Sequence, residues 1–317
     1  MPRRPASAYY SPMQSAPWQS PHGRPLPAPG GRTLIMGVLN VTPDSFSDGG
    51  QLPSVQAIMD RAGALLAAGA DVLDVGGEST RPGGAPVGVA EESDRVLPTI
   101  AALRRAFPDA ALSIDTYKAA VATAAVRAGA DIVNDVWGCL HGFDTDERRG
   151  WTASLARGDP APALPRSPMA EAVAALRCPV ILMHNRPDRA YGDFWADLLL
   201  DLRLSVAVAR AASVPGHQIW LDPGFGFAKD AAHNLAVLRD LSRIVALGYR
   251  VLLGTSRKST IGLVLDAPVH DRLDGTGATV VWGIQQGCAM VRVHDVAPMM
   301  RFVRMADAIK AGLEWNP

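Results

Sequence analysis

The stretch Gly254-Thr255-Ser256-Arg257-Lys258-Ser259 sets hydroxyls and two adjacent cations directly after the aliphatic run Val251-Leu252-Leu253. A buried strand has no use for polar side chains, so a run that changes character this abruptly leaves the core where something anionic or hydrogen-bonding is held. The plain structural alternative is a helix start, with Ser256 or Ser259 capping a helix that contains Ile261 to Leu265 and the cations merely solvated.

Other aliphatic runs end the same way. They finish in Asn40, Asp74, Asp115, Asn134-Asp135, His184-Asn185, Asp222 and Arg292-Val293-His294. One such residue is readily explained as a cap or turn; polar ends on every run are not, because turn chemistry needs only some of them. Three loops add to the pattern. Val41–Gly50 ("VTPDSFSDGG") is rich in Gly, Ser and Asp, as suits a loop closing over a ligand. Gly76–Gly84 ("GGESTRPGG") places Thr80, Arg81 and Pro82 among glycines, and Arg81 there is either a bidentate clamp for a phosphate or carboxylate or a solvated arginine. Pro223–Lys229 ("PGFGFAK") holds Phe225 and Phe227 in a tight turn, as a stacking surface or as packing under a helix.

The elements that must carry these residues follow a βα rhythm. Strands are expected at Leu34–Leu39, Val72–Val75, Leu112–Ile114, Ile132–Val133, Val180–Met183, Ile219–Leu221, Val251–Leu253 and Met290–Val293. Between them, Val55–Ala68, Glu91–Ala106, Tyr117–Ala128, Asp193–Ala212, Asn234–Leu247 and Gly275–Gln286 are Ala- and Leu-rich at helical spacing. "AAGADVLDV" and "RAGADIVND" repeat one scheme of helix, glycine stop and strand. Eight such units fit an α/β fold, a (β/α)8 TIM barrel, better than an open doubly wound sheet, and all the polar ends then share the rim where barrel active sites lie.

Residues 1–32 contain eight of the 25 prolines with no apolar period, and are expected to form a disordered tail ahead of a barrel domain at 33–317. The segment lacks the apolar run of a signal peptide, and no later stretch is long enough to span a membrane. His141–Pro168 is charged and Pro-rich without a clear period and reads as an insertion, either disordered or a lid.

Lys plus Arg and Asp plus Glu both number 31, so the chain has no overall field to attract nucleic acid or an anionic membrane, and neither is expected as a partner. The three cysteines, Cys139, Cys178 and Cys288, are far apart, which fits the reducing cytoplasm and not a disulfide framework or zinc site. Phosphate-loop, dinucleotide-fingerprint, HExxH and GxSxG motifs are absent. His184 and His294 have no third ligand at metal spacing, which leaves open a hard cation held by oxygen ligands and a substrate phosphate.

From Leu34 to Val296 the chain resembles the dihydropteroate synthase family. The resemblance rests on "MGVLNVTPDSFSDGG", "DVGGESTRPGG", "SIDT", "ND", "DPGFGFAK", "GTSRKSTIG", "RLDGTGA" and "VRVHDV" in order. It implies that Asp115, Asn134, Asp222 and Lys258 hold a pterin. It implies also that Asn40, Arg81, Arg292 and His294 hold its diphosphate with Mg²⁺, Asn40 being the metal ligand, and that Thr80, Pro82, Phe227 and Ser259 hold 4-aminobenzoate. Lys258, Arg81, Asp222, Arg292 and His294 would be the catalytic set, and the assembly a homodimer. The chemistry is consistent: a pterin's amide-like edge suits a carboxylate, its ring carbonyl and nitrogens suit Lys258 and Asn134, and a departing diphosphate needs cations. The aminobenzoate nitrogen is neutral at pH 7 and needs no strong base.

Two departures from the family pattern bear on the pocket rim, Trp137-Gly138-Cys139 after the fourth strand and Met183-His184-Asn185-Arg186-Pro187 at the fifth. Two competing readings share the pterin residues. A methyltetrahydrofolate-dependent corrinoid methyltransferase barrel needs neither "STRPGG" nor "SRKS", and a non-catalytic folate-binding protein would have lost Asn40, Arg81, Lys258 or His294, all of which are present.

Overall fold

The computed structural model describes residues 17–28, 30–42, 54–79, 86–159 and 164–314. Eight parallel strands close into a barrel in the order of the sequence, β8 returning to β1 through the register Leu34↔Met290 to Gly37↔Val293. The strands are β1 (Leu34–Asn40), β2 (Val72–Gly76), β3 (Ala111–Asp115), β4 (Ile132–Asp135), β5 (Val180–Met183), β6 (Ile219–Asp222), β7 (Arg250–Leu253) and β8 (Met290–Val293). The helices are α1 (Val55–Ala67), α2 (Val89–Ala106), α3 (Ala119–Ala128), α4 (Thr145–Arg157), α5 (Pro168–Leu176), α6 (Phe194–Ala211), α7 (Ala231–Arg239), α8 (Ser242–Val245), α9 (Ser259–Leu265), α10 (Leu273–Gln285) and α11 (Val296–Ala311).

Alternation along each strand sorts the side chains into two cores. Ile35, Leu39, Leu73, Val75, Leu112, Ile114 and Val133 face the helices. Leu34, Met36, Val72, Ala111, Ile132, Ile181, Trp220, Leu252 and Met290 face inward and fill the floor of the barrel. Two residues further along each strand the same inward parity brings Asp74, Asn134, Asp222 and Arg292, and four residues further Asp115. A period of two therefore places an apolar floor and a polar mouth on one inner wall.

The expectation of an unpacked tail fails for the described residues before β1. Trp18 is 2% exposed, its ring 4.6 Å from that of Trp220, and its indole Nε1 donates to the Pro27 carbonyl at 2.7 Å. Ser20 Oγ and Arg24 Nη2 bind Asp131 Oδ1 at 2.6 and 2.8 Å, while the Gln19 amide donates to Gln218 Oε1 at 2.9 Å. The segment is a strap across the barrel floor. It lacks apolar period because one tryptophan plug and a few polar anchors suffice, with no helix or strand required.

The 141–168 insertion is likewise ordered over most of its described length. Asp144 and Glu147 form a reciprocal capping box, Gly158 ends α4 in the left-handed conformation, and the Arg148 guanidinium, 3% exposed, donates to the carbonyls of Phe143, Leu140 and Asn185. A helix anchored by caps and one buried cation shows little apolar period. The expected helix Asn234–Leu247 starts earlier, at the Asp230 cap, and is interrupted at Asp240, whose carboxylate takes Arg239 and whose backbone is not helical. The helix expected from Tyr117 begins only at Ala119, because the Tyr117 hydroxyl and the Lys118 ammonium turn to Glu78. Among the described residues no helix is long and apolar enough to cross a membrane.

Candidate active site

Four inward residues form one network at the barrel mouth. Arg292 donates from Nε to Asp74 Oδ2 at 2.6 Å and from Nη2 to Asp115 Oδ2 at 2.7 Å, and Asn134 Nδ2 donates to Asp74 Oδ2 at 3.0 Å. Burial drives the Asp115 carboxyl above its ordinary range, the Arg292 cation opposing and the Asp74 charge adding to the rise. Burial disfavours the Arg292 charge, but Asp74 and Asp115 outweigh it and hold the guanidinium firmly protonated. Asp74 Oδ1 and Asp115 Oδ1 are buried without a hydrogen-bond partner among the described residues. Such acceptors each cost about 1–3 kcal/mol, which donors on a bound molecule would offset.

Across the mouth, Asp222 is 6% exposed and accepts from the Gly224 amide at 2.7 Å. Its carboxyl is raised by burial, with Lys258 the strongest influence in the other direction. Lys258 donates to the Phe225 carbonyl and stands 4.7 Å from the centre of the Phe227 ring. Burial draws its ammonium down to about 8 against the pull of Asp222. Gly254 lies on the wall between the two groups: a Cβ there would stand 3.9 Å from Asp222 Oδ2 and 3.8 Å from Arg292 Cβ.

The turn after β6 separates its two aromatics. Phe225 is fully buried in the outer core, while Phe227 is partly exposed beside Lys258. Gly224 has φ +66°, and a Cβ there would lie 1.9 Å from the His184 carbonyl oxygen, so no other residue fits. Asn234 Oδ1 accepts from the Gly226 amide at 2.8 Å and its Nδ2 donates to Thr260 Oγ1 at 3.0 Å, tying the turn to α9 under Lys258.

The two cations of "SRKS" part company. Arg257, at φ +58°, makes a bidentate pair with Asp295 at 2.8 and 2.6 Å, whereas Lys258 enters the mouth as the residue before α9. A helix does start here, at Ser259, which is exposed beside Lys258, but neither Ser256 nor Ser259 caps it: Lys258 holds the cap position without a side-chain cap bond, and neither cation is merely solvated. Ser256 Oγ lies 3.0 Å from His294 Nδ1 and accepts from the His294 amide at 3.2 Å, fixing that ring at the end of β8. Asn40 ends β1 opposite Gly76, on the inward parity. Thr80, Arg81 and Pro82, and residues 43–50 of the Val41–Gly50 loop, lie outside the described residues.

No group of three or more His, Cys, Asp or Glu that could hold a metal ion occurs among the described residues. Both family departures have structural roles. Asp135 accepts from the amides of Trp137 at 2.9 Å and Cys139 at 2.6 Å, and burial pushes its carboxyl up to about 6. His184 Nε2 lies 3.1 Å from Asp201 Oδ2, which also accepts from Arg186 Nε at 2.5 Å. Sequence reasoning gave no role to Asp74 beyond its place at a strand end, nor to Lys229, the last letter of "DPGFGFAK"; inward parity would have flagged the first.

Three comparisons bear on this arrangement. A family model described as pterin binding enzyme matches residues 36–294. A dihydropteroate synthase from Bacillus subtilis (strain 168) is 47% identical over 278 residues, covering 88% of this chain and 89% of the relative. Two crystal structures of the Xanthomonas albilineans dihydropteroate synthase are similar. The one with 4-aminobenzoic acid has a TM-score of 0.76 at 38% identity over 88% of this chain and 94% of that one. The one with 7,8-dihydropteroate has a TM-score of 0.73 at 36% identity over the same shares.

Proposed function

The chain belongs to the pterin-binding enzyme family as a dihydropteroate synthase, and from that premise we propose how its barrel mouth joins 6-hydroxymethyl-7,8-dihydropterin diphosphate to 4-aminobenzoate. The products are 7,8-dihydropteroate and diphosphate, a step of folate biosynthesis. The observation that carries the residue assignment is the opposition, across one mouth, of the Asp74–Arg292–Asp115–Asn134 network and the Asp222–Lys258–Phe227 group.

The pterin lies between them. Asp222 accepts from its amide-like edge, and Asn134 and Lys258 serve its ring carbonyl and nitrogens, while the unpartnered Asp115 Oδ1 takes a ring donor. Arg292 and His294 face the diphosphate; Arg292 is held straight by its two carboxylates and His294 by Ser256. Breaking the C–O bond leaves the electron pair and full charge on the departing diphosphate, which fixed cations stabilise. The 4-aminobenzoate, flanked by Phe227, Ser259 and the Lys258 stem, with Thr80 and Pro82 assigned to it and Arg81 to the diphosphate by family likeness, attacks the freed methylene carbon through its neutral nitrogen. That nitrogen then releases one proton. Runs of hydroxyls and cations at the mouth, without a strong base, suit this reaction.

Mg²⁺ fits the donor set. The described residues offer no three-ligand cage, and Asn40, at the inward end of β1, offers one carboxamide oxygen, as suits an ion that keeps waters and binds mainly substrate phosphates. When bound, the ion supplies charge neutralisation on the diphosphate oxygens. The homodimer is supported by exposed apolar side chains on the neighbouring helices α9, α10 and α11: Leu263 at 71% and Met305 and Ile309 at 61% exposure, with Val264 and Leu273 beside them. A cytoplasmic setting is supported by the three cysteines, all buried and free.

Purified protein supplied with both substrates should form 7,8-dihydropteroate and stop doing so with EDTA. Absence of product overturns the reading, and full turnover in metal-free buffer removes the Mg²⁺ assignment. Light scattering should give twice the chain mass, and Met305→Glu should lower it.

A further inference from the structure

Lys229 is 3% exposed, and among the described residues no carboxylate forms an ion pair with it. Its ammonium makes three contacts: His184 Nδ1 at 2.8 Å, the Gly224 carbonyl at 3.2 Å and the Phe227 carbonyl at 3.1 Å. Those carbonyls bracket the turn after β6, and His184 follows the end of β5. The histidine is set for the contact, because its Nε2 faces Asp201 Oδ2 at 3.1 Å, which assigns the proton to Nε2 and leaves Nδ1 as the acceptor. Burial, and secondarily the Lys229 charge, holds that ring neutral with its pKa near 4.

A buried cation with only neutral partners is costly, and burial indeed draws the Lys229 ammonium down to about 7, Asp222 resisting and Lys258 adding to the fall. An apolar side chain would pack there at lower cost, so the charge has a use. The turn it braces shows that use: between the two carbonyls lie Phe225, whose own carbonyl receives Lys258, and Phe227, whose ring faces the Lys258 ammonium. Resting on the function proposed above, we propose that Lys229 is a positioning residue, cross-bracing the loops after β5 and β6 so that the Phe227 ring stands as the aminobenzoate-binding wall.

The test is steady-state kinetics with calorimetry of pterin binding. Lys229→Met, similar in length but without donors, should raise KM for 4-aminobenzoate on the order of tenfold, with pterin Kd within about twofold and kcat little changed. Lys229→Gln, which keeps an amide donor, should fall between Lys229→Met and the wild type. An unchanged aminobenzoate KM in folded Lys229→Met overturns the positioning role, as does a parallel loss of pterin affinity, which would signal general disruption of the mouth. If Lys229→Met does not fold, Lys229→Gln and His184→Gln are read by the same criteria. Product formation by the wild type alongside an unchanged KM in the variants rejects the positioning role alone; no product from the wild type rejects the parent reading.

Discussion

Arg292 and Asp74 are joined at 2.6 Å across the inner wall of the barrel, from β8 to β2, with the carboxylate wholly buried and the guanidinium largely so. This pair sets the direction in which Arg292 meets Asp115. Removing Asp74 would leave Arg292 with Asp115 as its remaining carboxylate partner.

Asp74→Ala should therefore lower the free energy of unfolding by about 1.5–3 kcal/mol, the worth of hydrogen bonds to a charged group, since Arg292 keeps Asp115. Asp74→Asn, which keeps the shape, should fold and lose activity through a displaced Arg292. Urea unfolding of both variants checks this; Asp74→Ala within about 1 kcal/mol of wild type would show an idle pair.

Lys258→Ala should lower kcat/KM on the order of 10²-fold or more, as expected of a contact worth roughly 2.7 kcal/mol in the transition state. Lys258→Arg should rescue little, because the ammonium fits between the Phe225 carbonyl and the Phe227 ring, where a planar fork does not. Wild-type kcat/KM in folded Lys258→Ala would refute the assignment.

Much of this was legible in the sequence, and the reason is parity. A strand that is aliphatic and ends in Asp or Arg announces both its burial and the rim it reaches, so eight strands and the mouth residues Asp115, Asn134, Asp222 and Arg292 were readable before any coordinate. Asp74 shows the limit: parity places it on the inner wall with the others, but that it pairs with Arg292, 218 residues away, follows only from the closure of the barrel that brings β8 near β2. Phe225 and Phe227, two letters apart, differ in fate because the turn is set by Gly224 and Lys229 through contacts to His184, 40 or more residues distant. Trp18 and α4 were missed because a single plug and a capped polar helix leave no period to detect.

Trp18→Ala should destabilise the fold by about 3–5 kcal/mol, as for other buried tryptophans, and deletion of the chain through Gly30 should do at least as much. Thermal melts should show a fall of several degrees in either variant. A melting temperature within a degree of wild type would mean that the strap does not bear on the floor.

Acid should weaken the fold at His184. Its pKa falls from 6.5 to about 4 on folding, chiefly through burial, so between those values the unfolded chain binds more protons than the native one. Stability thus rises with pH across that window and is lost as pH falls through it, by roughly 3 kcal/mol at most. Urea unfolding at pH 6.5 and 4.5 should show a shallower acid loss in His184→Gln; equal losses in the two proteins would place the acid sensitivity elsewhere.

The floor strap also orders events in time. The Gln19 amide meets Gln218 across 199 residues of chain, and Ser20 meets Asp131 across 111. Neither contact can form until β4 and β6 are in place, so the strap is among the last pieces to dock and contributes little to the rate at which the barrel assembles. Contacts made after the folding barrier act on the way out: they slow unfolding. A protein sealed in this way owes part of its lifetime to a short stretch of chain that its helices and strands do not include.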